Sequence, residues 1–177
     1  AGTVSLNRML QEAVNPPAPD KKEKTFGDLL FREGDRVMQV KNNYDVLWED
    51  ENGSDVGMGI FNGDIGRIAA IDPASGLVTV DFEGHRANYT ADMLSQLEPA
   101  YAITVHKSQG SEYRAVVLSA VEAAPMLLTR GVLYTAMTRA KELLVVVGDD
   151  QVLAHMAAND RQQRRYSGLR ARLARHP

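Results

Sequence analysis

The spacing of hydrophobic positions changes three times along the chain, and each change marks a different kind of structure. Leu6, Met9, Leu10 and Ala13 fall at helical spacing between Ser5, which can cap a helix, and the helix-ending pair Pro16-Pro17. One short amphipathic helix is predicted there. Asn15 to Lys24 (NPPAPDKKEK) combines three prolines with a charge run and no apolar period, so a solvated linker is expected. From Phe31 to about Tyr89, short β-branched runs alternate with Gly, Asn and Asp. They predict strands at Asp35–Val40, Ile65–Ile71, Leu77–Phe82 and His85–Tyr89, with another around Val46–Trp48. Asp72-Pro73-Ala74-Ser75-Gly76 joins two of them as a hairpin connection. Short strands with tight turns at this density predict a small β-barrel.

After Glu98 the pattern changes again. Val116-Val117-Leu118 and Leu143 to Val147 are unbroken apolar runs, the mark of strands covered on both faces in a parallel sheet. Between them, Pro125 to Ala140 places Met126, Leu127, Val132, Leu133, Ala136 and Met137 at helical spacing, which completes a strand–helix–strand unit. A further helix is expected from Gln151 to Ala158. The fold class is therefore α/β, a partial parallel sheet combined with a small barrel.

Charge sharpens this division. The 177 residues have a net charge of −3, which argues against bulk coating of nucleic acid. The average conceals 9 basic and 17 acidic residues up to Glu98, net −8, against 11 basic and 6 acidic residues after it, net +5. The acidic excess falls largely in the barrel and linker. With no cysteine, disulfide stapling, thiolate catalysis and thiolate metal sites are excluded, and a reducing cytoplasm is the expected compartment. No apolar run approaches the roughly 20 residues that cross a bilayer. The chain starts without Met inside a helical pattern, as expected for an excised piece of a longer polypeptide.

Two stretches have residues suited to chemistry. Ala102 to Glu112 (AITVHKSQGSE) concentrates polar side chains before an apolar strand, where ligands bind beside open parallel sheets. Gly110 would let the backbone approach a phosphate, and His106, Lys107 and Gln109 could hydrogen-bond a nucleotide or a strand. The plainer alternative is a solvated turn capped by Ser111 and Glu112. In Leu133 to Lys141 (LYTAMTRAK), helical spacing puts Thr135, Thr138 and Arg139 on one face. Arg139 is then either a surface ion-pair partner or a phosphate finger. Asp50 to Asp55 (DENGSD) fails as a calcium loop because its sixth position is Asp55 and its twelfth Phe61. His85, His106, His155 and His176 show no zinc spacing, so no metal site is expected. Gly57 to Gly66 is glycine-rich and reads as barrel turns. Trp48, Tyr44 and Phe61 could stack on bases or pack the barrel, and the six arginines from Arg161 to Arg175 could grip phosphate or form a solvated tail.

T-V-H-K-S-Q-G-S-E at Thr104–Glu112, followed by L-Y-T-A-M-T-R-A-K-E-L-L-V-V-V-G at Leu133–Gly148, resembles motifs V and VI of superfamily 1 DNA helicases of the RecD/TraA-like branch. G-T-V-S-L-N-R-M-L-Q with Asn15-Pro16 is similar to the segment around motif IV, which involves Asn7 and Gln11. D-R-V-M-Q-V-K-N-N-Y and F-N-G-D-I-G resemble the Src-homology-3-like barrel inserted in the second motor domain of those helicases. The resemblance covers nearly the whole chain.

It implies a partial RecA-like parallel sheet with an inserted barrel. Residues 1–24 and 99–160 would belong to the RecA-like domain, 25–98 to the barrel and 161–177 to an Arg-rich tail. Arg139 would reach the γ-phosphate of ATP. Gly110 and Glu112 would lie near the nucleotide, while Thr104 and His106 would face single-stranded DNA. Lys107, Ser108 and Gln109 would couple the two, and Tyr134 and Thr138 would position the motif VI helix. No G-x-x-x-x-G-K-[ST] phosphate loop or Asp-Glu-ended apolar strand is present. The chain is thus expected to be the second half of an ATPase site, inactive alone, with the Mg²⁺ ligands and first RecA-like domain upstream. Translocation 5′ to 3′ and nuclease or repair subunits as partners also follow from the resemblance. The competing class is a non-catalytic nucleic-acid or protein interaction module built on the barrel.

Overall fold

The computed structural model describes residues 2–161. The chain divides into two compact units, Ala1–Lys107 and Ser108–Pro177. Of the Arg-rich tail, only Arg161 is among the described residues, and His176 lies outside them.

The first unit opens with α1 (Thr3–Val14), which starts two residues before the expected cap, with Gly2 rather than Ser5 at its N-cap. Its fully buried positions are amides, with Leu6 and Leu10 half-buried beside them. Asn7 and Gln11 are buried and, with Asn15 just past the helix end, form an i, i+4, i+8 stripe of amides. Met9 on the opposite side is 67% exposed. The reason is the surface that α1 meets, which offers backbone carbonyls and the carboxylate of Asp35. Those groups need donors rather than methylenes.

The expected linker is likewise structured at both ends. Asn15 is buried, and its Nδ2 donates to Glu33 O (3.1 Å) and to Asp35 Oδ1 (2.7 Å), while its Oδ1 accepts from Lys21 Nζ (2.6 Å). Strand β1 (Glu23–Phe26) pairs antiparallel with β2 (Leu29–Arg32) in a separate two-stranded sheet. Arg32, only 2% exposed, joins Glu23 (2.6 Å), Glu12 (3.2 Å) and Asn15 O (2.5 Å). Long-range hydrogen bonding thus overrides the proline and charge pattern of this stretch.

Seven strands then form one antiparallel sheet: β3 (Arg36–Gln39), β4 (Asn43–Asp50), β5 (Val56–Ile60), β6 (Ile65–Ile71), β7 (Val78–Phe82), β8 (His85–Tyr89) and β9 (Leu97–Pro99). Their order is β5-β4-β8-β7-β6-β3-β9. In β7, Val78, Val80 and Phe82 point inward while Thr79 and Asp81 face out, the period-2 pattern of a half-buried strand. These side chains join Phe31, Ile68 and Tyr89 in a single core, where each large apolar residue contributes roughly 1.5–3 kcal/mol. The β7–β8 hairpin turns on Glu83 (φ 55°) and Gly84 (φ 97°), two left-handed residues as a type I′ turn requires. Between β6 and β7, Asp72 accepts from Ala74 N (3.0 Å) and Ser75 Oγ (2.5 Å), and these bonds lower its pKa. Gly57 and Gly59 lie within β5 rather than in turns. Gly57 is required there, because a Cβ would sit 2.2 Å from the Trp48 ring.

The second unit contains β10 (Tyr113–Ala120) and β11 (Ala140–Gly148), paired parallel, with α2 (Arg130–Met137) between them in sequence and α3 (Asp150–Ala158) following. The long helix expected from Pro125 is broken. A 3₁₀ turn at Pro125–Leu127 ends before Thr129, whose hydroxyl caps α2 by accepting from Val132 N (3.4 Å). The apolar strands were expected to be covered on both faces, yet Val117 is 71% and Val147 57% exposed. Two strands and two short helices leave much of that sheet open. Among the described residues no helix is long and apolar enough to cross a membrane.

Candidate functional site

In the first unit, the predicted strand-facing residues follow a tightly held segment. β9 runs antiparallel to β3, and Ala100 N donates to Arg36 O (2.8 Å). The next residue, Tyr101, donates its hydroxyl to Asp35 Oδ1 (2.8 Å). Ala102 is gripped at both polar groups by Asn7, whose Nδ2 donates to its carbonyl (2.8 Å) and whose Oδ1 accepts from its N–H (2.9 Å). Beyond this anchor Thr104, His106 and Lys107 are exposed. Lys107 N donates to Thr104 Oγ1 (3.3 Å), which bends the segment into a turn, and its ammonium pairs with Glu98. Such an exposed pair is worth about 0–1 kcal/mol, so phosphate can compete for the lysine at little cost.

Asp35 anchors this arrangement. Only 1% exposed, it accepts from Gln11 Nε2 (2.5 Å), Asn15 Nδ2 (2.7 Å), Arg32 N (2.7 Å) and Tyr101 Oη (2.8 Å). Burial, and then the bond to Asp35, push the Tyr101 phenol up to about 12. Sequence reasoning missed Asp35 and Tyr101 altogether, and placed Asn7 and Gln11 only by resemblance. The amide spacing at residues 7, 11 and 15 was the available signal, since three amides one helical turn apart form a polar stripe.

The second unit contains the predicted nucleotide-facing residues. Ser108 is buried, and Ser111 N donates to its carbonyl (3.1 Å), closing a turn through exposed Gln109 and Gly110. Gly110 has φ +91° with open space where a Cβ would lie, so its backbone is accessible. Glu112 pairs with Lys141 (3.1 Å). Arg139 follows the end of α2, and its three guanidinium nitrogens are all engaged: Nε with Thr135 O (3.0 Å), Nη1 with Ser111 O (2.9 Å) and Nη2 with Thr138 Oγ1 (3.2 Å). A backbone bond from Tyr113 N to Arg139 O (2.8 Å) ties the same two segments together. The polar loop and the arginine of the second stretch are thus brought into contact. Thr138 and Arg139 lie past the end of α2 rather than on its face, and Arg139 turns back onto Thr135 O and Thr138 Oγ1, while Tyr134 is 69% exposed.

The other candidates have structural uses. Asp50 accepts from Ser54 N and Ser54 Oγ (both 2.6 Å) and so closes the β4–β5 turn. Tyr44 and Phe61 meet edge to face at 5.6 Å, and Trp48 lies 4.1 Å from the His85 ring. Among the described residues no three His, Asp or Glu side chains are grouped to hold a metal ion. No step through a metal is assigned to these residues.

Two family models match successive parts of the chain, the second beginning before the boundary between the two compact units. Residues 6–82 match the model of the ATP-dependent RecD-like DNA helicase SH3 domain, and residues 99–147 match that of the UvrD-like helicase C-terminal domain. These matches define an SH3 domain followed by a helicase C-terminal domain. An ATP-dependent RecD2 DNA helicase from Deinococcus radiodurans is 34% identical over 163 residues, 92% of this chain and 20% of that protein. A RecBCD enzyme subunit RecD from Mycolicibacterium smegmatis is 37% identical over 120 residues, 68% of this chain and 21% of that protein. The chain belongs to the RecD-like DNA helicase family and corresponds to part of its C-terminal region. It spans about one fifth of the length of these relatives.

Proposed function

We propose that this chain supplies the motif V and motif VI side of the ATPase site, together with strand-facing residues, in an ATP-dependent DNA helicase. The observation that carries this reading is the contact of Arg139 with the loop carbonyl of Ser111, which joins the two motif segments in one unit. On this reading β10, α2 and β11 are part of a RecA-like domain. The exposed apolar strands support it, since a larger sheet would cover them. The barrel is then the insert, with α1 and the segment after Glu98 belonging to the motor domain.

Arg139 would act as the phosphate finger. To reach a γ-phosphate its guanidinium exchanges hydrogen bonds with neutral oxygens for charge-assisted bonds to phosphate, which are roughly twice as strong. Because Nη1 holds Ser111 O, that exchange frees the loop carrying Gln109, Gly110 and Glu112. Movement at the nucleotide is thereby passed to Ser108 and Lys107, and so to Thr104 and His106 on single-stranded DNA. Mg²⁺ and the phosphate-cradling residues would come from the first RecA-like domain of the same polypeptide. Translocation 5′ to 3′ and association with nuclease or repair subunits belong to the same reading.

The test is Arg139→Ala in the ATP-hydrolysing polypeptide that contains this segment. DNA-stimulated turnover should fall by about 10³ or more, the usual worth of such a finger, while single-stranded DNA affinity stays within about twofold, a change of some 0.4 kcal/mol. Near-normal turnover in that variant would refute the assignment.

A further inference from the structure

Asn7 is buried, and its side-chain amide is engaged with a peptide group rather than directed at solvent. It holds both the N–H and the carbonyl of Ala102, two residues before Thr104. Three successive residues are held in this stretch: Ala100 on Arg36, Tyr101 on Asp35 and Ala102 on Asn7. Helix α1 supplies the last of these directly. It also supplies Gln11 against Asp35, which holds the second. The exposed residues Thr104 and His106 therefore extend from a short tether whose root is fixed by α1.

We infer that Asn7 is a positioning residue, which clamps the Ala102 peptide and so sets the direction in which Thr104 and His106 meet single-stranded DNA. The inference rests on the reading of those two residues as strand-facing. Its physical basis is preorganisation. A loop already held in its bound course loses less conformational freedom on binding, and releasing the root restores that loss as weaker affinity. Asn7 does not touch DNA, so its effect should exist only through the residues it orients.

That dependence gives the experiment. Anisotropy of a labelled oligothymidylate is titrated with the 177-residue chain and with Asn7→Ala, Thr104→Ala/His106→Ala and the triple variant. Thr104→Ala/His106→Ala should weaken binding, Asn7→Ala should weaken it about fivefold to tenfold, and Asn7→Ala should add nothing in the Thr104→Ala/His106→Ala background. A loss on Asn7→Ala that persists undiminished in that background shows a general structural role and overturns the inference, as does the absence of any loss on Asn7→Ala. If the unsubstituted chain does not bind, or binding ignores Thr104 and His106, the strand-facing reading itself fails and the inference with it. Emission from Trp48 confirms that each variant is folded. If Asn7→Ala is not, Asn7→Asp replaces it, because its carboxylate keeps the bond from Ala102 N and sets an oxygen against Ala102 O where the amide donated.

Discussion

Replacing Asp35 by Asn tests whether the buried hydrogen-bond node holds the first unit together. The native carboxylate receives two donors on each oxygen: Asn15 and Tyr101 on Oδ1, Gln11 and Arg32 N on Oδ2. An amide turns one of those oxygens into an NH₂ group that faces two donors, so two of the four bonds are lost whichever way it points. Bonds to a charged group contribute roughly 1.5–3 kcal/mol each, which sets the gross loss at about 3–6 kcal/mol. Relief from burying a charge offsets part of it, leaving a net loss of about 2–4 kcal/mol. That is a large fraction of the 5–15 kcal/mol typical of a domain. Trp48, the single tryptophan, lies in the same unit, so its fluorescence in a urea titration reports the loss. At a slope of about 2 kcal/mol/M the midpoint should fall by about 1–2 M. A change below about 0.5 kcal/mol, the usual effect of a surface substitution, would refute the account of Asp35 as an anchor.

Tyr101→Phe should alter alkaline stability. The phenol is raised by burial and then by its bond to Asp35, to about 12 against an ordinary value of 10. The stability it contributes is fully present below pH 10 and is lost as pH rises through about 12. The variant should therefore lose less stability across that window than the native chain, as measured by urea midpoints at alkaline pH. Tyr89, also raised by burial and then by the charge of Asp64, retains its own contribution. Gly57→Ala should cost about 1–3 kcal/mol by overpacking against Trp48 and shift Trp48 emission as the ring leaves His85, whereas unchanged emission would contradict the packing described. Gly148→Ala, at φ +147° with a Cβ 1.9 Å from Ala120 O, should break the Ala120–Gly148 end of the parallel pair. Hydrogen exchange at the β10 and β11 amides should then accelerate, and unaltered protection would contradict that register.

Much of this architecture was legible from local pattern. Strands β6 and β8 have the bounds that their β-branched runs predict, and the Asp72–Gly76 connection forms the expected hairpin. The parallel relation of β10 and β11 followed from unbroken apolar runs flanking a helical segment. The four strands without a prediction, β1, β2, β5 and β9, are short, glycine-bearing or set among charges. Their strand character comes from cross-strand partners, which no local window contains. At the candidate site, the two polar stretches were legible as local patterns, and the contact of Arg139 with Ser111 across 28 positions was not.

Helix α1 shows where the division lies. Its extent was set by residues within one turn of one another, namely the apolar period and the terminal prolines. The face it buries was set by Asp35 and Ala102, which are 24 and 95 positions from Gln11 and Asn7. Sequence alone thus determined the helix, strand and polar-loop segments whose preferences arise from neighbouring residues, such as α1, β6, β8 and the Ala102–Glu112 stretch. Tertiary structure decided that amides take the fully buried positions of α1, and that a carboxylate holds Tyr101 at the root of the segment with Thr104 and His106. Satisfying a buried polar group depends on which distant donors the fold brings to it.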